Sequence, residues 1–443
     1  MCCSAASRHP LTSSTSGTVF RQTLTPTFSR ASSRWCTVPT DFTIVGGGIG
    51  GLVTARRLAQ AGRSVMLLEA SDRLGGTVAG HEVAGIELDA GAESFATRAG
   101  TVAALAQELG LGPDIVQPAE PGAWLQPATG HAVPLPAAGL LGIPGTPLAA
   151  DVIKVIGMPA AMRAELDAVI PYLGTGAATT LGALVRRRMG RAVLEKLVAP
   201  VVYGVHSVHP DDIPLDRAAP GLRAALGMQG SLAAAVRSLR AAAPAGSAIA
   251  GIRGGMHRLA EELEADLTTR AVDVQLGRRV TAIDGLPGTV IVAAPGVLAS
   301  ANGRKVVLAT LVVESGELDT SPRGTGVLVA AGAEGIRARA LTHATAKWEW
   351  LRERAAGRHV LRLSYDSEPE NLEQAAREDA ERLLDVSLPA AAVQGFARVE
   401  WTRPTSQVTP PDGVVVVGET AAGSGLAAIV AHANAQADLL LSE

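Results

Sequence analysis

The chain of 443 residues is too long for one simple core, so two or three domains are expected. Aromatic residues make up 3% of it and the formal net charge is −3, which argues against nucleic acid as the main partner. The cysteines, Cys2, Cys3 and Cys36, all lie in the N-terminal tail, so the body has no disulfide or cysteine nucleophile, as suits a reducing compartment such as the cytoplasm.

Residues 1–40 differ in composition from the rest of the chain. They are rich in Ser and Thr, carry four arginines and contain no Asp or Glu. Three interpretations stay open: an organellar transit peptide, a disordered tail, or translation from a start codon placed too far upstream. No apolar h-region is present, so no secretory signal is predicted.

A strand, a glycine-rich turn, a helix and a second strand follow. Thr43 to Val45 form a short apolar strand, and the turn is Gly46-Gly47-Gly48-Ile49-Gly50-Gly51. A helix is predicted over residues 52–61, and residues 64–68 form a strand that ends on Glu69. This order and spacing indicate a dinucleotide-binding fold.

Each element of this pattern has a physical role. Gly46 allows the tight turn, Gly48 lets the backbone approach a pyrophosphate, and Gly51 lets the helix pack on the strand. The helix N-terminus offers free N–H groups and a partial positive charge to the phosphates. Glu69 is expected to accept hydrogen bonds from the ribose and to repel a 2′-phosphate. The motif alone does not separate NAD from FAD.

A second motif follows at residues 70–77. Arg73 can reach a phosphate, and Gly75, Gly76 and Thr77 let the chain run close beneath a cofactor. The motif resembles the second signature of FAD-dependent amine oxidases, desaturases and porphyrinogen oxidases. It therefore favours FAD, and the absence of cysteine from the body means that this FAD is bound non-covalently.

Two further segments narrow the resemblance. Gly91-Ala-Glu-Ser94-Phe95-Ala-Thr-Arg98, followed by a helix over 102–109, resembles the protoporphyrinogen and coproporphyrinogen oxidases of haem synthesis. Residues 324–329 together with residues 340–348 resemble segments of the same family. The resemblance to this family covers nearly all of residues 41–443.

The resemblance also assigns the far ends of the cofactor site. Residues 274–283 are predicted as a strand in which Val280 touches the adenine through its backbone. A strand over 414–417 precedes Glu419, expected to bind the ribityl or pyrophosphate region, and a helix starting near Gly425 points its N-terminus at the flavin. Ser424 and Leu426, at the start of this helix, are also predicted to contact the cofactor.

The implied architecture is α/β with three parts: a Rossmann-like FAD-binding domain, a mixed-sheet substrate domain and a helical, membrane-facing lobe. The predicted ranges are 41–96, 250–303 and 405–443 for the first, 97–112, 200–249 and 304–404 for the second, and 113–199 for the third. Residues 137–157 are apolar but broken by Pro and charges, so they either lie on a membrane surface or form a partly buried helix. The connecting helix that the family has before residue 414 is missing.

Two local patterns are assigned no site. Arg186, Arg187 and Arg188 are interpreted as a solvated helix face. His206 and His209 have no third ligand at a suitable spacing, so no metal site is predicted.

The implied reaction is FAD-dependent oxidation of coproporphyrinogen III to coproporphyrin III, with O2 as acceptor and H2O2 as product. Hydride leaves a meso carbon for the flavin while a pyrrole nitrogen loses a proton, so no catalytic acid–base pair is expected. Arg98 is the predicted anchor for a propionate, and Trp401 is expected to pack on the substrate near the flavin.

Several alternatives stay open. Protoporphyrinogen IX is the competing substrate within the family. An amine oxidase or desaturase shares the scaffold, but few aromatics are present to build an amine oxidase's cage. The missing connection also permits a redox-inactive FAD-binding relative. The expected location is cytoplasmic with peripheral membrane contact and handover of product to a haem-pathway chelatase, or organellar if residues 1–40 are a transit peptide.

Overall fold

The structure is a computed structural model. It describes residues 39–97, 99–120, 122–136, 139–170, 178–206, 208–241, 249–298, 303–404 and 410–442. Arg98 and part of the segment with the predicted missing helix, residues 405–409, lie outside these ranges. Within the described ranges, no helix has the length and apolar character needed to cross a membrane.

A five-stranded parallel sheet, called the parallel sheet below, collects strands from distant parts of the sequence. In spatial order its strands are Asp273–Gln275, Val65–Leu68, Phe42–Val45, Thr289–Val292 and Val415–Val416. All four residues of the central strand are buried, as expected for a strand covered on both faces. The next strand in the sequence, Val65–Leu68, pairs on one side of the central strand, and the later strand Thr289–Val292 pairs on the other side. In such sheets, ligands bind at the carboxyl ends of the strands, where the strand order reverses.

Three long helices cover this sheet. They are Ile49–Gln60, called the first helix below, His257–Thr269 and Leu426–Ser442. Leu52, Leu263 and Val430, one from each helix, share a single apolar core with the central strand. The N- and C-terminal ends of the described chain are therefore packed together around one sheet.

One predicted strand is shorter than expected. The strand predicted over 274–283 ends at Gln275. Gly277 follows with φ +66°, a left-handed conformation that breaks an extended strand. The N–H of Gly277 donates to the carbonyl of Ser71 at 2.8 Å, so the chain turns here toward the end of the neighbouring strand.

A seven-stranded mixed sheet, called the large sheet below, forms a second layer. Its spatial order is Val393–Pro404, Gly303–Val313, His359–Tyr365, Ala340–His343, Gly326–Val329, Trp124–Gln126 and Val133–Pro134. Leu311, Leu361 and Leu363 face the helix Leu372–Leu384 on one side. Because side chains alternate along a strand, Arg362 projects from the opposite face.

The smaller strands connect these layers. A hairpin joins Gly80–Val83 to Ile86–Asp89, a three-stranded group joins Phe95–Ala96, Ile249–Ile252 and Ile115–Val116, and a short pair joins Gly139–Leu140 to Ile143–Pro144. The remaining short helices near these layers are Thr101–Glu108, Ala344–Lys347, Glu349–Ala355 and Glu419–Ala422.

A helical cluster has its own apolar core. Its helices are Ala150–Ile156, Met158–Glu165, Leu181–Met189, Arg191–Val193, Ala199–His206, Leu215–Ala218, Leu222–Gln229 and Leu232–Ala241, with a π-turn over Leu194–Val198. This core continues to Val236, beyond the predicted lobe of 113–199, whereas Trp124–Gln126 inside that range pairs with the large sheet. The division into three domains stays a proposal.

The prediction for Arg188 was wrong. Its side chain is fully buried, and Nε lies 2.5 Å from Asp167 Oδ1. The guanidinium also donates to the carbonyls of Ile170 and Gly230, and Asp167 accepts a further hydrogen bond from the N–H of Ala233. A buried ion pair of this kind needs full hydrogen bonding, and here it joins three segments of the helical cluster.

A buried ionic clamp joins the segment after the hairpin to the large sheet. Glu93, which follows the hairpin, accepts from Lys347 Nζ at 2.5 Å and from Arg362 Nη1 at 2.6 Å. Arg362 also donates to the carbonyl of Gly91 at 2.7 Å. Burial works to raise the pKa of Glu93, but Lys347 and Arg362 outweigh it and lower that pKa to about 2. Lys347 is thus engaged with a protein carboxylate.

We expect Glu93→Gln to destabilise the protein and to weaken its acid sensitivity. The folded-state pKa lies below its ordinary value of 4.5, so the clamp stabilises the fold above about pH 4.5 and loses this effect as the pH falls toward 2. The loss at pH 7 should be about 3 kcal/mol. Denaturant unfolding between pH 3 and 7 measures it.

Glu349→Gln, in an exposed pair with Arg352, is the matched control and should behave like the parent. If the free energy of unfolding of Glu93→Gln depended on pH as steeply as that of the parent, the clamp would not carry this stability.

Candidate active site

A cavity follows the carboxyl edge of the parallel sheet at its switch point. It is lined by residues from both ends of the chain and from the large sheet. The predicted site residues that line it are Gly46, Gly48, Ile49, Gly50, Glu69, Arg73, Gly75, Gly76, Thr77, Trp401, Glu419 and Leu426.

The first glycine turn has the backbone demands that the sequence predicts. Gly46 has φ +110°, and a Cβ there would lie 2.8 Å from Ala294 Cβ. A Cβ on Gly51 would lie 2.0 Å from the carbonyl oxygen of Gly46, so the helix can pack on the turn only without a side chain. A Cβ on Gly48 would meet nothing within 4 Å and would project into open space at the cavity.

Glu69 is held by the turn that it faces. Its Oε2 accepts from the N–H of Gly47 at 2.6 Å, and its Oε1 accepts from the N–H and the hydroxyl of Ser71 at 2.8 and 2.7 Å. Burial works to raise the pKa of Glu69, but these hydrogen bonds outweigh burial and hold the pKa below its ordinary value. The carboxylate is therefore ionised and fixed at the end of the second strand.

The second glycine motif is bound to the first. The N–H of Gly75 donates to the carbonyl of Gly47 at 2.9 Å, and Gly75 has φ +95°. Arg73 Nη1 donates to the carbonyls of Leu74 and Gly76 at 3.2 and 3.0 Å, which closes the loop beside the cavity. The two motifs thus form one continuous wall.

The C-terminal segment completes the cavity through a close glycine contact. A Cβ on Gly50 would lie 2.7 Å from the Cα of Gly418, so the first helix and the end of the last strand touch through backbone. Glu419 follows and is partly buried. Burial raises its pKa, and the nearby charges of Arg403 and Arg217 oppose that increase.

Five of the predicted residues that the structure describes do not line the cavity. Gly47 and Gly51 lie behind its wall, in the contacts given above. Val280 lies in an irregular segment, two residues after Arg278, whose N–H donates to the carbonyl of Glu69 at 2.7 Å. Ser424 and Gly425 precede the last helix, and Gly425 has φ +103°.

Other parts of the wall were not predicted from the sequence. Ala293, Ala294 and Pro295 line the cavity directly after the strand Thr289–Val292. Since the carboxyl ends of parallel strands share one edge, their position after a third buried strand was a usable signal. Thr402 and Gly91 have no comparable signal, because their place depends on how the large sheet packs.

The wall fits an anionic dinucleotide. The first-turn N–H groups of the first helix have no intrahelical acceptor, and a helix N-terminus attracts phosphate. The space at Gly48 is open, and Glu69 supplies an ionised acceptor at the end of the neighbouring strand. This donor set suits an adenine dinucleotide with its ribose at Glu69.

Four arginines lie beside the part of the cavity that Glu419 lines. They are called the arginine cluster below and comprise Arg217, Arg304, Arg339 and Arg403. Arg304 and Arg339 lie over the ring of Tyr203, with Cζ 5.4 and 5.2 Å from its centroid, and both bind Asp366. Arg403 pairs with Arg304 across the large sheet and follows the cavity-lining Thr402.

Arg217 lies against Gly423, where a Cβ would meet Arg217 Nε at 2.4 Å. The cluster thus holds four guanidinium groups. In the contacts given above, the carboxyl groups of Asp366 and Glu419 lie near them. Guanidinium groups bind carboxylates through charge-assisted hydrogen bonds, so this cluster suits an anionic ligand.

Solved structures share this fold. A structure from Exiguobacterium named for protoporphyrinogen oxidase aligns with a TM-score of 0.73 at 22% identity, covering 91% of this chain and 99% of that chain. Cyclohexylamine oxidase from Brevibacterium oxydans aligns with a TM-score of 0.62 at 15% identity over 91% of this chain and 99% of its own. The predicted fold class is confirmed.

Sequence comparisons identify the family. The profile of the flavin containing amine oxidoreductases matches residues 49–318. Coproporphyrinogen III oxidase of Mycobacterium bovis is 31% identical over 357 residues, which cover 74% of this chain and 76% of the relative. The enzyme of that name from Staphylococcus aureus is 28% identical over 54% of this chain and 53% of its own. The chain therefore belongs to the flavin-containing amine oxidoreductases and, within them, to the FAD-dependent porphyrinogen oxidases.

Proposed function

We propose that this protein oxidises coproporphyrinogen III to coproporphyrin III in haem biosynthesis, with O2 as acceptor and H2O2 as product. The observation that carries the choice of substrate is the arginine cluster beside the cavity. Coproporphyrinogen carries propionates where protoporphyrinogen carries vinyl groups, so it offers more carboxylates to these guanidinium groups. The coproporphyrinogen III oxidases among its relatives support the same choice.

The proposed cofactor contacts follow the cavity from end to end. Glu69 would hold the ribose, the first-helix N-terminus the pyrophosphate, and Glu419 with the start of the last helix the flavin end. Val280 is proposed to contact the adenine from the segment fixed by Arg278. When bound, FAD supplies the two-electron acceptor for each oxidation step.

The chain's own residues would bind and orient the substrate. Trp401 is partly buried and lines the cavity from the large sheet, where it offers an apolar surface to a tetrapyrrole. The arginine cluster would fix the propionates, and Arg98 stays proposed as a further propionate anchor. Fixing several carboxylates at once positions the meso carbon, which is the main contribution expected of the protein.

Peripheral membrane contact is proposed at the helical cluster, and handover of product to a chelatase is proposed with it. Met158, Met162 and Leu166 are 51%, 60% and 53% exposed on two consecutive helical segments, and Val169, which follows them, is 73% exposed. Large apolar side chains exposed side by side are typical of an interaction surface. They lie near the apolar segment that suggested membrane contact in the sequence.

The FAD-loaded protein should convert coproporphyrinogen III to fluorescent coproporphyrin III under air and should act more slowly on protoporphyrinogen IX. Porphyrin fluorescence and O2 uptake, followed in parallel, measure both the rate and the acceptor. Faster oxidation of protoporphyrinogen IX would favour the competing substrate. A flavin spectrum without turnover of either porphyrinogen would identify a redox-inactive relative.

Arg217→Ala should raise KM for coproporphyrinogen III about tenfold with little change in kcat, since a charge-assisted hydrogen bond contributes about 1.5–3 kcal/mol. Steady-state kinetics measure the two constants separately. Arg352→Ala, on an exposed helix and paired with Glu349, is the control. Equal KM values for Arg217→Ala and the parent would exclude Arg217 as a propionate anchor.

Glu69→Ala should weaken FAD binding at least about tenfold, because it removes an ionised acceptor and releases the N–H of Gly47. Titration of FAD into the apoprotein, followed by flavin fluorescence, measures the dissociation constant. Asp72→Ala changes an exposed carboxylate three residues further on and should leave it unaltered. If Glu69→Ala bound FAD as tightly as the parent does, the proposed ribose contact would be wrong.

A further inference from the structure

A group of three possible metal ligands lies outside the cofactor cavity. Glu87 belongs to the strand Ile86–Asp89, and His257 and Glu261 lie one turn apart at the start of the helix His257–Thr269. One ligand atom from each lies within 4.8 Å of the other two. His257 Nε2 lies 3.3 Å from Glu87 Oε1.

The imidazole of His257 is fixed in place. Asp89 Oδ1 lies 2.9 Å from His257 Nδ1 and also accepts from the backbone N–H of His257 at 3.0 Å. The ring is 3% exposed, and Cβ atoms on Gly80 and Gly255 would lie 3.1 and 2.4 Å from it. With Nδ1 engaged by a carboxylate, Nε2 is the nitrogen that faces Glu87, as in carboxylate–histidine–metal arrangements.

We propose that Glu87, His257 and Glu261 bind a divalent transition-metal ion, with Zn2+ as the ion that fits best. For Zn–N and Zn–O bonds of about 2.0–2.1 Å, a tetrahedral shell has an edge of about 3.3 Å, which equals the His257–Glu87 separation. Glu261 is exposed, so its side chain can rotate to close the remaining distance. The two carboxylates balance the charge of the ion, and the imidazole binds in its neutral form after the ion displaces the proton on Nε2.

The main physical objection is positive charge, because Arg253, Arg258 and Arg354 line the same cleft. Asp114 lies 2.8 Å from Arg258 and 4.0 Å from Arg253, which offsets part of that charge. Arg354 Nη1 lies 3.5 Å from Glu87 Oε2, whereas Oε1 is the oxygen that faces His257. Glu87 can therefore bind the ion through Oε1 while Arg354 stays on the other oxygen.

Such an ion would join two segments that are distant in sequence. The hairpin containing Glu87 leads directly to Ala90 and Gly91, which line the cofactor cavity, and His257 begins the helix that covers the parallel sheet. The ion would have a structural role, and the assignment is independent of the substrate.

The test uses the full chain with FAD bound, after removal of metals by a chelator. Titration with CoCl2 should give ligand-field absorption at wavelengths beyond the flavin bands, and calorimetry with ZnCl2 should give about one ion per chain at this site. Zn2+ should also raise the midpoint of thermal unfolding. Alkylation of the three N-terminal cysteines beforehand removes thiol ligands from the comparison.

Glu261→Gln removes an exposed ligand without touching the core and should weaken Zn2+ binding at least about tenfold. Glu264→Gln, on the same helix and outside the group, is the matched control and should bind as the parent does. His257→Gln should abolish the cobalt absorption. No binding by the alkylated parent, or equal affinity in Glu261→Gln and Glu264→Gln, would overturn the proposal.

Discussion

The close approach of Gly50 and Gly418 is the constraint on which the rest of the site depends. A Cβ on Gly50 would lie 2.7 Å from the Cα of Gly418, so the first helix and the end of the last strand meet only because position 50 lacks a Cβ. This contact puts the phosphate-facing turn and Glu419 on one edge of one sheet. The long segments inserted between them can then build a substrate layer without changing the cofactor edge.

That substrate layer is held to the cofactor edge by charge. The Glu93 clamp joins the segment after the hairpin to the large sheet, and Arg362 reaches from that sheet to the carbonyl of Gly91. Since Gly91 and Trp401 line the same cavity, the clamp fixes the distance between cofactor wall and substrate wall. A buried ion pair specifies such a junction more narrowly than apolar contacts do, because its hydrogen bonds have one geometry.

The sequence predicted the parts of the site that depend on local backbone. Gly46 and Gly51 were identified because their positions require φ above zero or the absence of a Cβ, which few other residues supply. The ion pairs of Arg188 and Lys347 were not predicted, because tertiary packing brings their partners, Asp167 and Glu93, to them. The strand at Gln275 was predicted too long, since composition alone did not show that Gly277 would adopt a left-handed turn.

The order of strands in the parallel sheet has a consequence for how the protein is made. Its central strand is among the first residues of the body to leave the ribosome, whereas its edge strand Val415–Val416 and the covering helix Leu426–Ser442 are among the last. Contacts of such high sequence separation form slowly, because the loop between them must close first. In the nascent chain, the edge of Thr289–Val292 that pairs with Val415–Val416 therefore stays unpaired until these last residues have been synthesised.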